Sequence, residues 1–138
     1  MKYRNFLIMR CFLAFLYLPA GAQENTVKNY HPNGKLREVM HHGLFNGCDI
    51  PVGTDSLFTP AGTLLGTKNY THFSTGEGCH STLTVIEIKT YFPNGKPKVI
   101  SYQRISYEGE AWRCGIWKWY NTAGKVVRKK DCGKCILP

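Results

Sequence analysis

Cysteines offer the clearest chemistry in this sequence, because thiols can form disulfides, bind metals or act as nucleophiles. Cys132 and Cys135 are separated by two residues near the C-terminus, whereas Cys48, Cys79 and Cys114 are widely spaced. A redox-active pair of this spacing needs a helix N-terminus that stabilises the thiolate. Only three residues follow the pair, which are too few to form a helix. We therefore favour a structural disulfide over redox chemistry at the terminal pair.

Histidines and glutamates form two weaker constellations. Cys79-His80 and His41-His42 could each supply two of the four ligands of a structural zinc site. Neighbouring residues on a strand point to opposite faces, however, so neither pair chelates a metal easily. Glu108 and Glu110 could act as the acid and base of a glycosidase, but no pattern around them marks a substrate groove.

Several classes of enzyme are excluded by their missing motifs. The chain has no phosphate-binding loop, no dinucleotide fingerprint and no nucleophile elbow. With 138 residues it is also too short for a large cofactor-binding α/β enzyme. We predict a protein that is not an enzyme and that needs no cofactor and no metal.

The N-terminus carries the pattern of a secretory signal. Basic residues precede an apolar run at 12–18, and small residues at 20–22 fit a cleavage site after Ala22. The apolar run is too short to favour the alternative of a membrane anchor, and no longer run follows it. We predict a signal peptide at 1–22 and a single domain at 23–138, secreted or periplasmic.

Export would place the cysteines in an oxidising compartment, where disulfides persist. Cleavage after residue 22 removes Cys11 and leaves five thiols, enough for two disulfides with one thiol left over. The bridge could lie within the terminal pair, or join that pair to Cys114, Cys79 or Cys48. The sequence does not select among these arrangements.

A recurring turn organises the rest of the chain. An aromatic residue precedes a Gly-containing turn four times, at intervals of 28, 33 and 29 residues, and the first three of these turns also contain Pro. Such a period is typical of stacked units. Proline presets φ at the first central position, asparagine tolerates the second, and glycine accepts a positive φ. Each segment is therefore expected to form the tip of a β-hairpin. The turn residues are Pro32, Asn33, Gly34, Pro60, Gly62, Pro93, Asn94, Gly95 and Gly124.

The flanks of these turns have the period of β-strands. Ile86, Ile88 and Thr90 alternate with Glu87 and Lys89, so that they occupy opposite faces of one strand. No segment shows a sustained helical period, so we predict an all-β fold with little helix beyond the signal segment. We expect hairpin units at 30–43, 57–70, 91–102 and 117–130, and surface loops in the Gly-, Thr- and Ser-rich segments 44–56 and 71–82.

Two segments resemble a known family. The turn Tyr91-Phe92-Pro93-Asn94-Gly95-Lys96 and the strand Gly115-Ile116-Trp117-Lys118-Trp119-Tyr120 are similar to the bacterial variant of the MORN repeat. The resemblance implies antiparallel β-hairpins stacked into an extended twisted sheet, and a non-enzymatic scaffold or binding surface. Its YwqK-like members are often labelled antitoxin components. That label implies a cytoplasmic toxin as partner, whereas the N-terminal pattern predicts export.

Positive charge gathers in the C-terminal half. The net charge is +9, and it becomes +6 without residues 1–22, which contain three of the 18 basic residues and none of the nine acidic ones. Lysines on a sheet edge can simply block aggregation, and the tryptophans can simply form a core. Alternatively, basic and aromatic residues together form a binding face. Its residues are Trp117, Lys118, Trp119, Tyr120, Arg128, Lys129 and Lys130.

Export decides which partners we expect. A protein or an anionic envelope component, lipid or glycan, fits an exported basic sheet, and nucleic acid does not. The sequence thus predicts an exported, non-enzymatic MORN-like repeat protein that acts as a binding or structural module at the bacterial envelope. The alternative is a small periplasmic redox or metal-handling protein that uses Cys132 and Cys135.

Overall fold

A computed structural model describes residues 24–136 of the chain. Nine antiparallel strands form one twisted, unclosed sheet, and the described residues contain no α-helix and one short 3-10 turn, Cys79–Ser81. The all-β prediction is confirmed. The strands are β1 (Asn25–Tyr30), β2 (Leu36–Phe45), β3 (Cys48–Pro51), β4 (Thr54–Phe58), β5 (Leu64–Ser74), β6 (Thr82–Tyr91), β7 (Pro97–Ser106), β8 (Ala111–Tyr120) and β9 (Val126–Asp131).

Sequential pairing dominates the topology. The order across the sheet is β1-β2-β4-β5-β6-β7-β8-β9, and β3 pairs with β2 beside β4. β3 and β4 are thus two parts of one returning strand, interrupted at Val52 and Gly53. The interruption keeps its hydrogen bonds, because Val52 N donates to His41 O (2.8 Å) and Tyr70 N donates to Gly53 O (3.0 Å). An up-and-down sheet of this kind brings alternate connections to the same end.

Four connections with the same geometry lie at one end of the sheet. We number them turn 1 (31–35), turn 2 (59–63), turn 3 (92–96) and turn 4 (121–125). In each, the first residue donates to the carbonyl of the fifth, and the glycine at the fourth position donates to the carbonyl of the first, at 2.8–2.9 Å. The four glycines have φ between 77° and 91°, a region that residues with a Cβ avoid. The four glycine-containing segments therefore form equivalent hairpin tips.

Of the two segments expected to be loops, 44–56 is largely strand, whereas 71–82 is strand only at residues 71–74 and at Thr82. Residues 44–56 contain the end of β2, β3 and part of β4, and β5 extends to Ser74. Asn46 and Gly47 both have positive φ (52° and 79°) and form a two-residue hairpin turn. Threonine and serine pair readily when a neighbouring strand supplies partners, and local composition does not show those partners.

Little of the molecule is buried. The extensive contacts between elements are all between strands that are neighbours in the sheet. Among the described residues, the buried apolar side chains are Cys48, Ile50, Ile86 and Cys114, with exposures of 3%, 9%, 7% and 2%. The described chain is therefore a single layer whose faces remain open over most of their area.

Two pairs of cysteines lie at disulfide distance. Cys48, the first residue of β3, lies beside Cys79 in the β5–β6 connection, with Cα atoms 5.4 Å apart. Cys114 on β8 joins Cys135 in the C-terminal segment, with Cα atoms 4.8 Å apart. Cys132 has no such partner within residues 24–136. Two bridges in a small domain are typical of an oxidising, extracellular environment.

The predicted signal peptide at 1–22 lies outside the described residues. Within the part of the chain that the structure describes, no helix has the length and apolar character needed to cross a membrane.

Candidate binding surface

A bulge in β8 fixes the position of Trp117. Tyr102 pairs with Cys114 and Ile100 pairs with Lys118, so β8 has extra residues at this point. Gly115 has a φ of 67° within the bulge. The indole Nε1 of Trp117 donates to the carbonyl oxygens of Tyr102 and Cys114, both at 3.1 Å. The indole N–H of Trp117, which is partly buried, is thereby satisfied, and its ring is held against the sheet.

Two arginines stack on the tryptophans of β8. The guanidinium of Arg113 lies 5.2 Å from the ring centre of Trp117, and that of Arg128 lies 4.8 Å from the ring centre of Trp119. The two indoles lie 6.0 Å apart. These four side chains form a continuous row, which we name the Arg–Trp row. Stacking holds each guanidinium by a cation–π interaction, and both Arg113 and Arg128 are exposed.

The residues predicted as a binding face lie on both faces of the β8–β9 edge. Trp119 pairs with Arg128, and Trp117 pairs with Lys130, so these residues lie on the face of the Arg–Trp row. Lys118 pairs with Lys129 on the opposite face, which Tyr120 shares by alternation. The predicted set therefore surrounds the edge of the sheet.

A second stack was missed by sequence reasoning. Arg104 on β7 lies 4.9 Å from the ring centre of Trp112 on β8, and the two residues are cross-strand partners. Trp112 is 41% exposed. The signal that identifies this pair is the register between β7 and β8, which depends on the bulge at Gly115.

β9 forms one edge of the sheet, and its six residues are all exposed. The segment after β9 continues along β8: Cys132 N donates to Gly115 O (3.0 Å), and Gly115 N donates to Gly133 O (2.6 Å). Cys135 then joins Cys114 of β8. Within the described residues, the C-terminal segment therefore leaves the outer side of β9 uncovered.

Side chains link turn 1 to turn 2 and turn 3 to turn 4. Asn33 Nδ2 donates to Pro60 O (2.8 Å), and Lys35 Nζ donates to Ala61 O (3.0 Å). The same two positions in turn 3 repeat these contacts: Asn94 Nδ2 donates to Thr122 O and Lys96 Nζ donates to Ala123 O, both at 3.1 Å. We name each pair of contacts a turn latch.

Turn 2 lacks the residues that form a latch. Ala61 and Thr63 occupy the positions of the asparagine and the lysine, and within the described chain no side-chain hydrogen bond joins turn 2 to turn 3. A groove of about 480 Å³ lies near this junction. Its apolar lining includes Leu57, Leu65 and Ile88.

Two tyrosine–carboxylate pairs stiffen the middle of the sheet. Tyr102 OH donates to Glu87 Oε2 (2.9 Å), and Lys89 Nζ lies 2.7 Å from Glu87 Oε1. Burial acts to raise the pKa of Glu87, but the hydrogen bonds from Lys89 and Tyr102 bring its pKa below the ordinary value. Tyr70 OH donates to Asp55 Oδ2 (2.8 Å), and burial with this hydrogen bond raises the pKa of Tyr70 well above its usual range.

Among the candidate catalytic and metal-binding residues, Glu108 and His80 form an exposed pair. Glu108 is 72% exposed and faces His80, which is 83% exposed, with 4.0 Å between Oε1 and Nδ1. Among residues 24–136, no three side chains of the types that bind metals converge on a common point. Cys132 and Cys135 do not pair with each other, because Cys135 lies at disulfide distance from Cys114.

Comparison with known proteins identifies the repeats. Three segments, residues 23–42, 85–103 and 113–131, match the family model of the MORN repeat variant. They contain turns 1, 3 and 4, whereas turn 2, which lacks the latch residues, lies outside the matched segments. A search of curated proteins and a search of solved structures each found no match. MORN repeats generally act as non-enzymatic modules for binding or structure, and three segments of this chain are similar to them.

Proposed function

We propose that this protein is exported and acts at the bacterial envelope as a non-enzymatic binding module. The β8–β9 edge, residues 111–131, is its binding surface, and its partner carries negative charge. The observation that carries the proposal is the Arg–Trp row beside three consecutive cations, Arg128, Lys129 and Lys130, on a strand whose residues are all exposed.

The chemistry of this edge suits carboxylate or phosphate groups. A stacked guanidinium is held in place before a ligand arrives, so less side-chain entropy is lost on binding. Lys118 and Lys129 add positive charge on the opposite face. The N-terminal signal pattern and the two cysteine pairs at disulfide distance support export.

Export is tested by expressing the full chain in a bacterial host and mapping the product. We expect an N-terminus at Gln23, and non-reducing peptide mapping should recover Cys48 linked to Cys79 and Cys114 linked to Cys135. An uncleaved cytoplasmic chain with reduced cysteines would overturn the proposal of export.

Binding is tested by co-sedimentation of the purified, oxidised protein with isolated bacterial envelope fragments at low and high salt. We expect sedimentation that weakens with salt and falls at least fivefold in the variant Lys129→Glu/Lys130→Glu. Lys28→Glu, on the opposite edge strand β1, is the matched control and should sediment like the unmodified protein. Sedimentation that is absent, or equal in both variants, would contradict the assignment of this edge.

A further inference from the structure

We infer that β9 is the acceptor strand for an extended acidic segment of a partner protein, which joins the sheet by backbone hydrogen bonding. This inference rests on the proposed function, because it names the partner class for the same β8–β9 edge. Addition of a strand to an open edge gains affinity from the main chain and specificity from alternate side chains.

The first support is the open backbone of β9. Its residues pair with β8 on one side only, and no strand lies beyond it in the sheet. In an antiparallel pair, alternate residues direct their N–H and C=O groups to the far side, where an added strand could bind them. β9 contains no proline, and its register shift falls at Tyr120, where the strand leaves turn 4. Residues 127–131 therefore present a regular edge.

The second support is the distribution of charge along this edge. Arg128 and Lys130 lie on the face of the Arg–Trp row, and Lys129 lies on the other face with Lys118. An added strand with acidic residues at successive positions would place a carboxylate beside a cation on each face. Such cross-strand pairs of opposite charge stabilise a sheet. Val127, which is 63% exposed, adds an apolar contact at the turn end.

The same charges disfavour a second copy of this chain on β9. β9 has one acidic residue, Asp131. An antiparallel pairing of two copies of β9 centred on Lys129 would bring the cations Arg128, Lys129 and Lys130 into opposition, which destabilises a sheet. The other open edge, β1, carries Lys28 as its one charged residue and offers no negative charge to β9. Charge complementarity therefore favours a different, acidic protein segment over self-association.

The test uses the exported, oxidised protein and a synthetic seven-residue peptide, acetyl-Thr-Val-Glu-Glu-Glu-Val-Thr-amide, which has acidic residues at three successive positions. Binding is followed by NMR with hydrogen exchange of the β9 amides. We expect slower exchange of those β9 amides that do not bond to β8, with no change at β1. Lys129→Gln/Lys130→Gln, which removes charge and keeps the strand, should weaken binding at least tenfold. Lys28→Gln should change it less than twofold.

A second peptide separates strand addition from charge attraction. It has the same sequence with the amides of residues 2–6 all N-methylated, so it keeps its charge but has no N–H group on either edge with which to pair with a strand. At least tenfold weaker binding of this peptide supports the inference. Equal binding of the two peptides overturns it, because the contact would then be electrostatic only.

Two further outcomes distinguish this inference from the proposed function. If neither peptide binds while sedimentation with envelope fragments still depends on Lys129 and Lys130, strand addition is wrong and the binding surface stands. If the protein binds vesicles of phosphatidylglycerol but not the peptide, the partner is a lipid and the inference is overturned. Self-association through β1 and β9, seen as a mass that increases with concentration, also overturns it.

Discussion

Gly115 is the residue on which the geometry of the candidate surface depends. Its φ of 67° creates the bulge in β8, and a Cβ added there would lie 3.0–3.2 Å from side-chain atoms of Tyr102. The bulge in turn places Trp117 where its Nε1 reaches the carbonyls of Tyr102 and Cys114. A change at this glycine should therefore disturb both stability and the Arg–Trp row.

We expect Gly115→Ala to destabilise the protein by about 2–4 kcal/mol, since strain at positive φ adds to the contact with Tyr102. Gly95→Ala is the matched control, because Gly95 has a similar φ of 77° with nothing within 4 Å of the added Cβ. It should cost about 1 kcal/mol. Urea unfolding followed by tryptophan fluorescence measures both values. Equal losses would show that the contact with Tyr102 is relieved without cost.

His72 links stability to pH. Burial lowers the pKa of His72 below 6.5, and its ring lies between Phe45 (5.2 Å) and Tyr70 (6.5 Å) with Nδ1 2.9 Å from Thr84 Oγ1. The unfolded chain therefore binds a proton more readily than the folded protein. The contribution of His72 is complete above pH 6.5 and is lost as the pH falls from 6.5 towards the folded pKa.

The free energy of unfolding of the unmodified protein should fall between pH 7.5 and pH 5. We expect a smaller fall in His72→Gln. The difference should be less than about 1 kcal/mol, because the His72 ring is only partly buried. His80→Gln is the control for the substitution itself, since the His80 side chain is 83% exposed. Urea unfolding at both pH values gives the comparison. Parallel pH profiles for the unmodified protein and His72→Gln would refute the role of His72.

At the scale of elements, the recurring Asn-Gly-Lys sequence does two things. The asparagine Oδ1 accepts a hydrogen bond from the backbone N of the lysine at 3.1 Å within its own turn, in turns 1 and 3. The Asn and Lys side chains also bind the carbonyls of the next turn. The motif therefore both forms its own turn and links that turn to the next one. Turn 2 lacks the motif, so no latch joins turn 2 to turn 3.

We expect Lys35→Met/Lys96→Met to lower the free energy of unfolding by about 1 kcal/mol in total, since two exposed charge-assisted hydrogen bonds are removed. Lys125→Met is the matched control, because Lys125 holds the equivalent position in turn 4 and the described sheet has no turn beyond it. It should change stability by no more than a few tenths of 1 kcal/mol. Equal effects on thermal unfolding would mean that the latches contribute nothing.

At the scale of the whole molecule, contacts between adjacent strands hold the sheet together. Contacts connect each strand mainly to the strands beside it, so the sheet behaves as a row of units with a small core. Opposite the turn end, Asn46 Nδ2 donates to Gly76 O (3.0 Å) and Gly78 O (2.7 Å), beside the Cys48–Cys79 bridge. Covalent and polar links thus compensate for the few buried side chains.

We expect Cys48→Ser/Cys79→Ser to lower stability by about 3–4 kcal/mol, because the bridge closes a sequence separation of 31 residues in the unfolded chain. Hydrogen exchange should increase most in the β2–β3 turn and the β5–β6 connection. Cys132→Ser is the control and should leave unfolding unchanged, since Cys132 has no bridge within the described residues. A loss equal to that of the control would show that the bridge does not contribute to stability.

The sequence by itself determined the strand period, the hairpin tips and the class of fold. These depend on neighbouring residues, because proline, asparagine and glycine constrain φ locally and side chains alternate along a strand. The tertiary structure decided the pairing of the cysteines, the strands within 44–56 and 71–82, and the faces of the β8–β9 residues. Those features depend on register between segments distant in sequence. A bulge such as the one at Gly115 changes that register without any change in composition.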